Sequence, residues 1–216
     1  MLDVHAPHKP IENVKEFLFH IFTITVGLLI ALSLEGLVEW QHHRHLVHDA
    51  EASLHGEIDR NAAAIKDTTA ELHKEQANLK HDIAVLNQLI QTGKMPQHEQ
   101  MTVGFHIRSF ENLGWKTAQA TGASSYMTYT IAQQYADIYT TQDELADAEK
   151  QAARDAIISL APFIGAADNA PDPSAAEAIA IKEKISILQG QLLLVDSLMA
   201  SLDSSYKKFL AAHKES

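Results

Sequence analysis

The chain has 216 residues, with 28 acidic and 17 basic side chains for a formal net charge of −11, 13 histidines and no cysteine. The missing cysteine excludes disulfides, CxxC redox motifs, thiolate zinc sites and cysteine nucleophiles. An acidic chain with scattered Lys and Arg lacks the basic face that nucleic acid requires, and low Gly and Pro with abundant Ala, Leu, Gln and Glu favour helix over sheet.

A mean hydropathy of −0.13 conceals a local extreme. After a short N-terminal segment, residues 1–16, the run from Phe17 to Leu34 carries no charge, and its apolar character extends through Val38 to Trp40. At ~1.5 Å per residue, 18–22 residues cover roughly 27–33 Å, the depth of a bilayer core. Backbone amides in lipid must bond internally, so residues 17–40 are predicted to form a single transmembrane helix. A secretory signal would have a shorter apolar stretch ending in a small-x-small cleavage site; here the stretch runs into Glu39-Trp40-Gln41-His42-His43-Arg44. The expectation is an uncleaved anchor.

Lys9 and Lys15 precede the span and Arg44 follows it. The positive-inside rule then puts the N-terminus in the cytoplasm of a bacterial inner membrane and the remainder in the periplasm. Glu35, Glu39 and Trp40 mark the membrane interface, where an indole prefers the headgroup level and a carboxylate can snorkel to water. Glu35 also admits a proton-pathway reading, because ionisable groups within membranes often line such routes. Thr23, Gly27 and Ala31 recur at i, i+4 and i+8. Small residues on one stripe let two membrane helices approach closely, although such residues also recur there by composition.

Beyond Trp40 no helix breaker except Gly56 occurs before Gly93 and Pro96. Ile58, Ile65, Leu72, Leu79 and Leu86 repeat every seven residues, which predicts a long amphipathic helix over about 41–92 that continues the membrane helix. Gly93–Gln100 reads as a loop, followed by a short helix with Val103, Ile107 and Phe110 on one side. Residues 112–123, with two glycines and several threonines, read as the most irregular stretch of the chain. A second long helix is predicted over about 124–164, capped by Ser124 or Ser125, and a linker over Gly165–Pro173. Ser174-Ala-Ala-Glu177 is a capping box for a third helix over about 174–213. In that helix Ile181, Ile185, Leu188, Leu192, Val195, Met199, Leu202, Tyr206 and Phe209 form an a/d seam. The predicted fold is therefore all-α: an N-terminal transmembrane helix continuing into a long helix, with residues 41–216 forming an antiparallel extramembrane helical bundle.

Three constellations are candidates for function. His42, His43, His45 and His48 lie in an acidic collar at the membrane exit, a pattern that suits zinc, a pH response, or simply a solvated interface. Glu39-x-x-His42 has the spacing used in di-iron bundles, but a single copy cannot build that site. Trp115, Tyr126 and Tyr129 could shape a docking surface for a partner or plug one end of the bundle. No GxSxG, P-loop, HExxH or GxGxxG motif is present, and the chain is read as non-enzymatic, with no cofactor beyond a metal at the collar. His73 and His106 read as ordinary helix-surface residues.

Gly27-Leu-Leu-Ile-Ala-Leu32, the boundary Trp40, and Glu57-Ile58 followed by Asn61 resemble the opening of small bacterial single-pass membrane proteins of uncharacterised function. Trp115-Lys-Thr-Ala118, Gly122 and Tyr139 are similar to the later part of such chains. The resemblance covers about residues 17–62 with patches over 111–142, and implies a topology but no mechanism. The expected role is a membrane-anchored scaffold or accessory subunit, with lipid and either further copies of itself or a larger membrane complex as partners. The alternative is a periplasmic ligand-binding, sensor-like domain. That sensor would have to act through a partner, since about 16 N-terminal residues are too few for an output domain.

Overall fold

The computed structural model describes residues 13–96, 99, 101–163 and 172–213. Most of the expected N-terminal segment, all but the end of the Gly165–Pro173 linker and part of the 93–100 loop lie outside the described residues. The chain divides into two compact units, Met1–Asp49 and Ala50–Ser216. All described elements are helices or irregular segments: α1 (Val14–Thr92), α2 (Leu113–Ala120), α3 (Ala123–Tyr126), α4 (Tyr129–Leu160) with a 3-10 turn over Ala161–Phe163, and α5 (Ala175–Ala212).

α1 is continuous over 79 residues, as the absence of breakers predicts. In the first unit its side chains from Val14 to Trp40 are exposed. They include an 18-residue window of mean hydropathy 2.3, none of it buried, which is long and apolar enough to cross a membrane. α5 meets the same length and composition test, but a third of its window is buried, and its apolar seam is spent on the core of the second unit.

In the second unit, α1 ends where Gly93 takes φ 70° and its amide bonds the Leu89 carbonyl at 2.8 Å. A left-handed residue is what closes a helix C-terminus, and glycine adopts it without a Cβ clash. α5 begins on the predicted capping box: the Glu177 amide donates to Ser174 Oγ and the Ser174 amide to Glu177 Oε2, at 3.3 and 2.8 Å. All nine predicted seam residues of α5 are buried. α5 runs antiparallel to α1, joined by Thr69 to Met199, His73 to Asp196 and Gln76 to the Leu192 carbonyl. It is also antiparallel to α4, where Tyr135 meets Phe209.

α4 runs parallel to α1, since Tyr139 reaches Glu57 while Glu149 lies beside Glu75. Two parallel helices need a return run between them, and the chain makes it without a helix. The short helix expected around Val103, Ile107 and Phe110 does not form; residues 101–112 are irregular chain laid along α1 as a strap. Val103 is buried but Ile107 is 53% exposed, so the three never share a helical face. From Asp82 back to Asn61, α1 spans roughly 32 Å at ~1.5 Å per residue, while Thr102 to Glu111 spans roughly 30 Å at ~3.3 Å per residue of extended chain. Ten residues of strap thus retrace twenty-two of helix.

Among the described residues the strap has no ladder partner, so its amides need acceptors from elsewhere. α1 supplies them. Asp82 accepts from the Thr102 amide at 3.0 Å, Glu75 from His106 at 3.3 Å, and Asn61 Oδ1 from Glu111 at 2.9 Å. Asn61 Nδ2 returns a bond to the Glu111 carbonyl at 2.8 Å, so one side-chain amide mimics a β-bridge. Gln142 of α4 donates to the same carbonyl at 2.9 Å.

The 112–123 stretch also differs from its expectation. Leu113–Ala120 is helical, and Gly122 starts α3. α4 starts at Tyr129 with Thr128 as N-cap, later than the predicted Ser124 or Ser125.

Candidate functional site

The first unit holds the residues expected at the membrane and in the collar. Thr23, Gly27 and Ala31 are exposed; Thr23 Oγ1 donates to the Phe19 carbonyl at 2.6 Å, and a Cβ added to Gly27 would meet nothing within 4 Å. Glu35, Glu39 and Trp40 are exposed, and the Arg44 guanidinium lies 5.5 Å from the Trp40 ring centre, a cation–π contact that the sequence reading did not anticipate. His42 and His43 have ring centres 6.0 Å apart, and His48 meets Asp49 at 3.4 Å. Among the described residues, no three His, Asp or Glu side chains converge as metal ligands would.

The second unit contains a polar and aromatic knot where the strap, α2 and α4 meet α1. Glu57, 3% exposed, accepts from the Tyr139 hydroxyl at 2.5 Å and from the Gly114 amide at 2.7 Å. Gly114 fits closely: a Cβ there would stand 3.2 Å from Glu57 Oε2 and 3.3 Å from Ser53 Oγ. Trp115 stacks on Tyr139 with ring centres 5.5 Å apart and 4° between planes, and contacts Tyr135 at 6.2 Å. Burial raises Tyr135, Tyr139 and Tyr206 well above the ordinary phenol range, with the Glu57 bond adding to it at Tyr139. These phenols therefore stay protonated, and Tyr139 serves as a fixed donor to Glu57. Just outside, Arg60 grips Glu111 at 2.7 Å, and that hydrogen bond holds the Glu111 carboxyl below its usual range.

Over this knot lies a cavity of about 200 Å³ lined by Asn112, Trp115, Lys116, Gln119, Tyr139 and Asp143, among others. Lys116 and Asp143 bring opposite charges to one space. Of the three aromatics proposed for docking, Trp115 is turned into the knot, while Tyr126 and Tyr129 are 51% and 82% exposed.

A second cluster sits further along the strap. Arg108 pairs with Glu75 at 3.1 Å and Glu71 at 3.3 Å, and His106 Nδ1 meets Glu75 at 2.9 Å. His106 thus belongs to the strap and not to a helix surface. Behind Arg108 stands Glu149 of α4, fully buried; the Arg108 amide lies near it, but neither carboxylate oxygen makes a hydrogen bond of good geometry among the described residues.

The sequence reading did not single out Arg108, Gln142 or Glu149, but one signal was available. Along α1 the second seam position carries Leu54, Asn61, Thr68, Glu75, Asp82 and Leu89. It is apolar at both ends and polar through four consecutive heptads, the length that the strap covers. Glu57, Trp115 and Tyr139, which carried the resemblance in separate patches, meet in this one knot, while Asn61, one turn along α1, holds the Glu111 backbone beside it. No family model, curated protein or solved structure matches the chain.

Proposed function

We propose that the protein is a membrane-anchored helical scaffold or accessory subunit that self-associates or attaches to a larger membrane complex. The observation that carries this reading is the exposed uncharged run of α1, residues 17–34, whose apolar window is wholly unburied in a single chain. Exposed apolar surface on that scale requires lipid or protein to cover it. The Thr23, Gly27 and Ala31 stripe supplies a face for a second membrane helix. Lys9 and Lys15 against Arg44 favour a cytoplasmic N-terminus, which puts the second unit in the periplasm. The polar knot ties the strap, α2 and α4 to α1, which suits a scaffold.

The test is extraction of the full chain from bacterial membranes in a mild detergent, with native mass spectrometry of the extract. The reading expects the chain in the membrane fraction after alkaline carbonate washing, and a dimer, higher oligomer or stable complex after extraction. A monomer that copurifies with nothing refutes it. The cysteine-free sequence makes orientation directly readable: Ser204→Cys, at an exposed position of α5, should react with a membrane-impermeant maleimide from the periplasmic side.

The cavity over Trp115 and Tyr139 favours a second reading, a sensor-like domain that binds a small polar ligand and acts through a partner. A small-molecule screen read by thermal shift separates the two. A specific hit of several degrees, lost in Lys116→Ala, favours the sensor.

A further inference from the structure

The middle of the strap is held by charge. Two buried carboxylates, Glu75 and Glu149, and the largely exposed Glu71 surround one guanidinium, that of Arg108, and both Arg108 and Glu75 are nearly buried. Glu149 lies where water does not reach. His106 also touches the cluster, from its exposed edge, while the other charges nearby are committed elsewhere. His106 of the strap bonds Glu75 at 2.9 Å, and from α5, Asp196 bonds His73 of α1 at 2.9 Å. On α4 itself, Lys150 turns to Asp147 at 2.9 Å and Arg154 Nε donates to the Lys150 carbonyl at 3.3 Å. One buried guanidinium cannot neutralise two buried carboxylates, Glu75 and Glu149, and a dry site penalises the excess. Glu149 is the group that relieves it by keeping a proton.

We propose that Glu149, Glu75 and Arg108 form a proton-operated latch on the strap. With Glu149 protonated, Arg108 stays on Glu75 and Glu71 and the strap lies closed on α1. When the proton leaves, a second buried carboxylate competes for the same guanidinium, and the His106–Ser109 section lifts to admit water.

Burial pushes Glu149 from 4.5 up to about 7; the Arg108 amide and guanidinium oppose the shift and Glu75 adds to it. The closed state therefore binds this proton more tightly than an opened state does. Its advantage is complete below about pH 4.5 and is lost as pH rises through about 7. Between pH 6 and pH 8.5, an opening that restores an ordinary carboxyl raises the opening equilibrium about tenfold. The inference concerns only the second unit and does not depend on the membrane reading.

The experiment is hydrogen–deuterium exchange on the full chain in nanodiscs at pH 6 and pH 8.5, corrected for the intrinsic pH dependence of exchange. Peptides covering 102–111 should show about a tenfold rise in opening, while peptides covering 185–202 of α5 should not. Glu149→Gln keeps the shape but removes the titration, and should flatten the response to within about twofold. His106→Gln should leave the tenfold rise in place. A flat wild type, an undiminished rise in Glu149→Gln, or a flat His106→Gln overturns the proposal. Carbon-detected NMR titration of the Glu149 carboxyl in the wild type gives a measure that needs no variant: a midpoint near 7 supports the latch and one near 4.5 overturns it.

Discussion

Replacing Asn61 with leucine separates the reasoning from the sequence pattern and the reasoning from the structure, because the two expect opposite signs. By pattern, Asn61 interrupts a seam, and Asn61→Leu should complete it and gain about 1.5–3 kcal/mol from a buried leucine. In the structure, Asn61 is buried and holds both the amide and the carbonyl of Glu111, at 2.9 and 2.8 Å. The substitution removes two hydrogen bonds of about 1 kcal/mol each and leaves the Glu111 amide behind a leucine at a cost of about 1–3 kcal/mol. The leucine also displaces the strap from its seat, so its burial gain is not fully realised. The expected net loss is about 1–3 kcal/mol, which at about 2–4 °C per kcal/mol for a unit of this size lowers Tm by several degrees. Differential scanning calorimetry in detergent gives the sign, and exchange of the 109–114 peptide shows whether the loss is local. An unchanged or raised Tm with the strap still protected would refute the claim that polar seam positions hold the strap.

Three further outcomes rest on separate features. Gly114→Ala puts a methyl 3.2 Å from Glu57 Oε2 and should cost about 1–3 kcal/mol as a lower Tm, whereas a neutral result would show that the knot yields freely. Ser174→Ala removes the N-cap acceptor of α5 and should cost about 1 kcal/mol, with faster amide exchange confined to the first turn of that helix; uniform destabilisation along α5 would contradict a capping role. Gly27→Leu should lower the dimer fraction in cross-linking at least fivefold without moving the Tm of the second unit, and an unchanged dimer would remove the small-residue stripe as a contact face.

The seam of α5 and its capping box were fully legible, because nine apolar residues at alternating spacing and a Ser-x-x-Glu cap admit one arrangement. The seam of α1 was half legible. Its seven-residue repeat of Ile and Leu marks the buried stripe, but the polar residues at the companion position pass for an ordinary solvated face. The strap escapes the sequence for a related reason. Val103, Ile107 and Phe110 fit a helical spacing, yet no local propensity reveals that the acceptors for this backbone sit twenty or more residues earlier, on Asn61, Glu75 and Asp82. The Trp115 stack is similar: its partner Tyr139 lies across a break between helices, and only tertiary packing brings them together. Helix α2 forms despite Gly114 and Gly122 because the glycines sit near its ends, leaving Trp115 to Ala120 as helix-compatible chain.

The strap also sets where this chain can change length. An insertion or deletion in a helix shifts the downstream residues by about 1.5 Å and 100°, and its effect falls mainly on the packed faces. In extended chain each added or lost residue displaces the backbone by about 3.3 Å and inverts every side chain beyond it. Thr102, His106 and Glu111 must each arrive at an acceptor fixed on a rigid helix, so a single-residue indel between them strands at least one amide. The same indel before Thr102 or between α2 and α4 leaves that register intact. Ten residues without secondary structure, Thr102 to Glu111, are therefore the part of the second unit with the least freedom to grow or shrink.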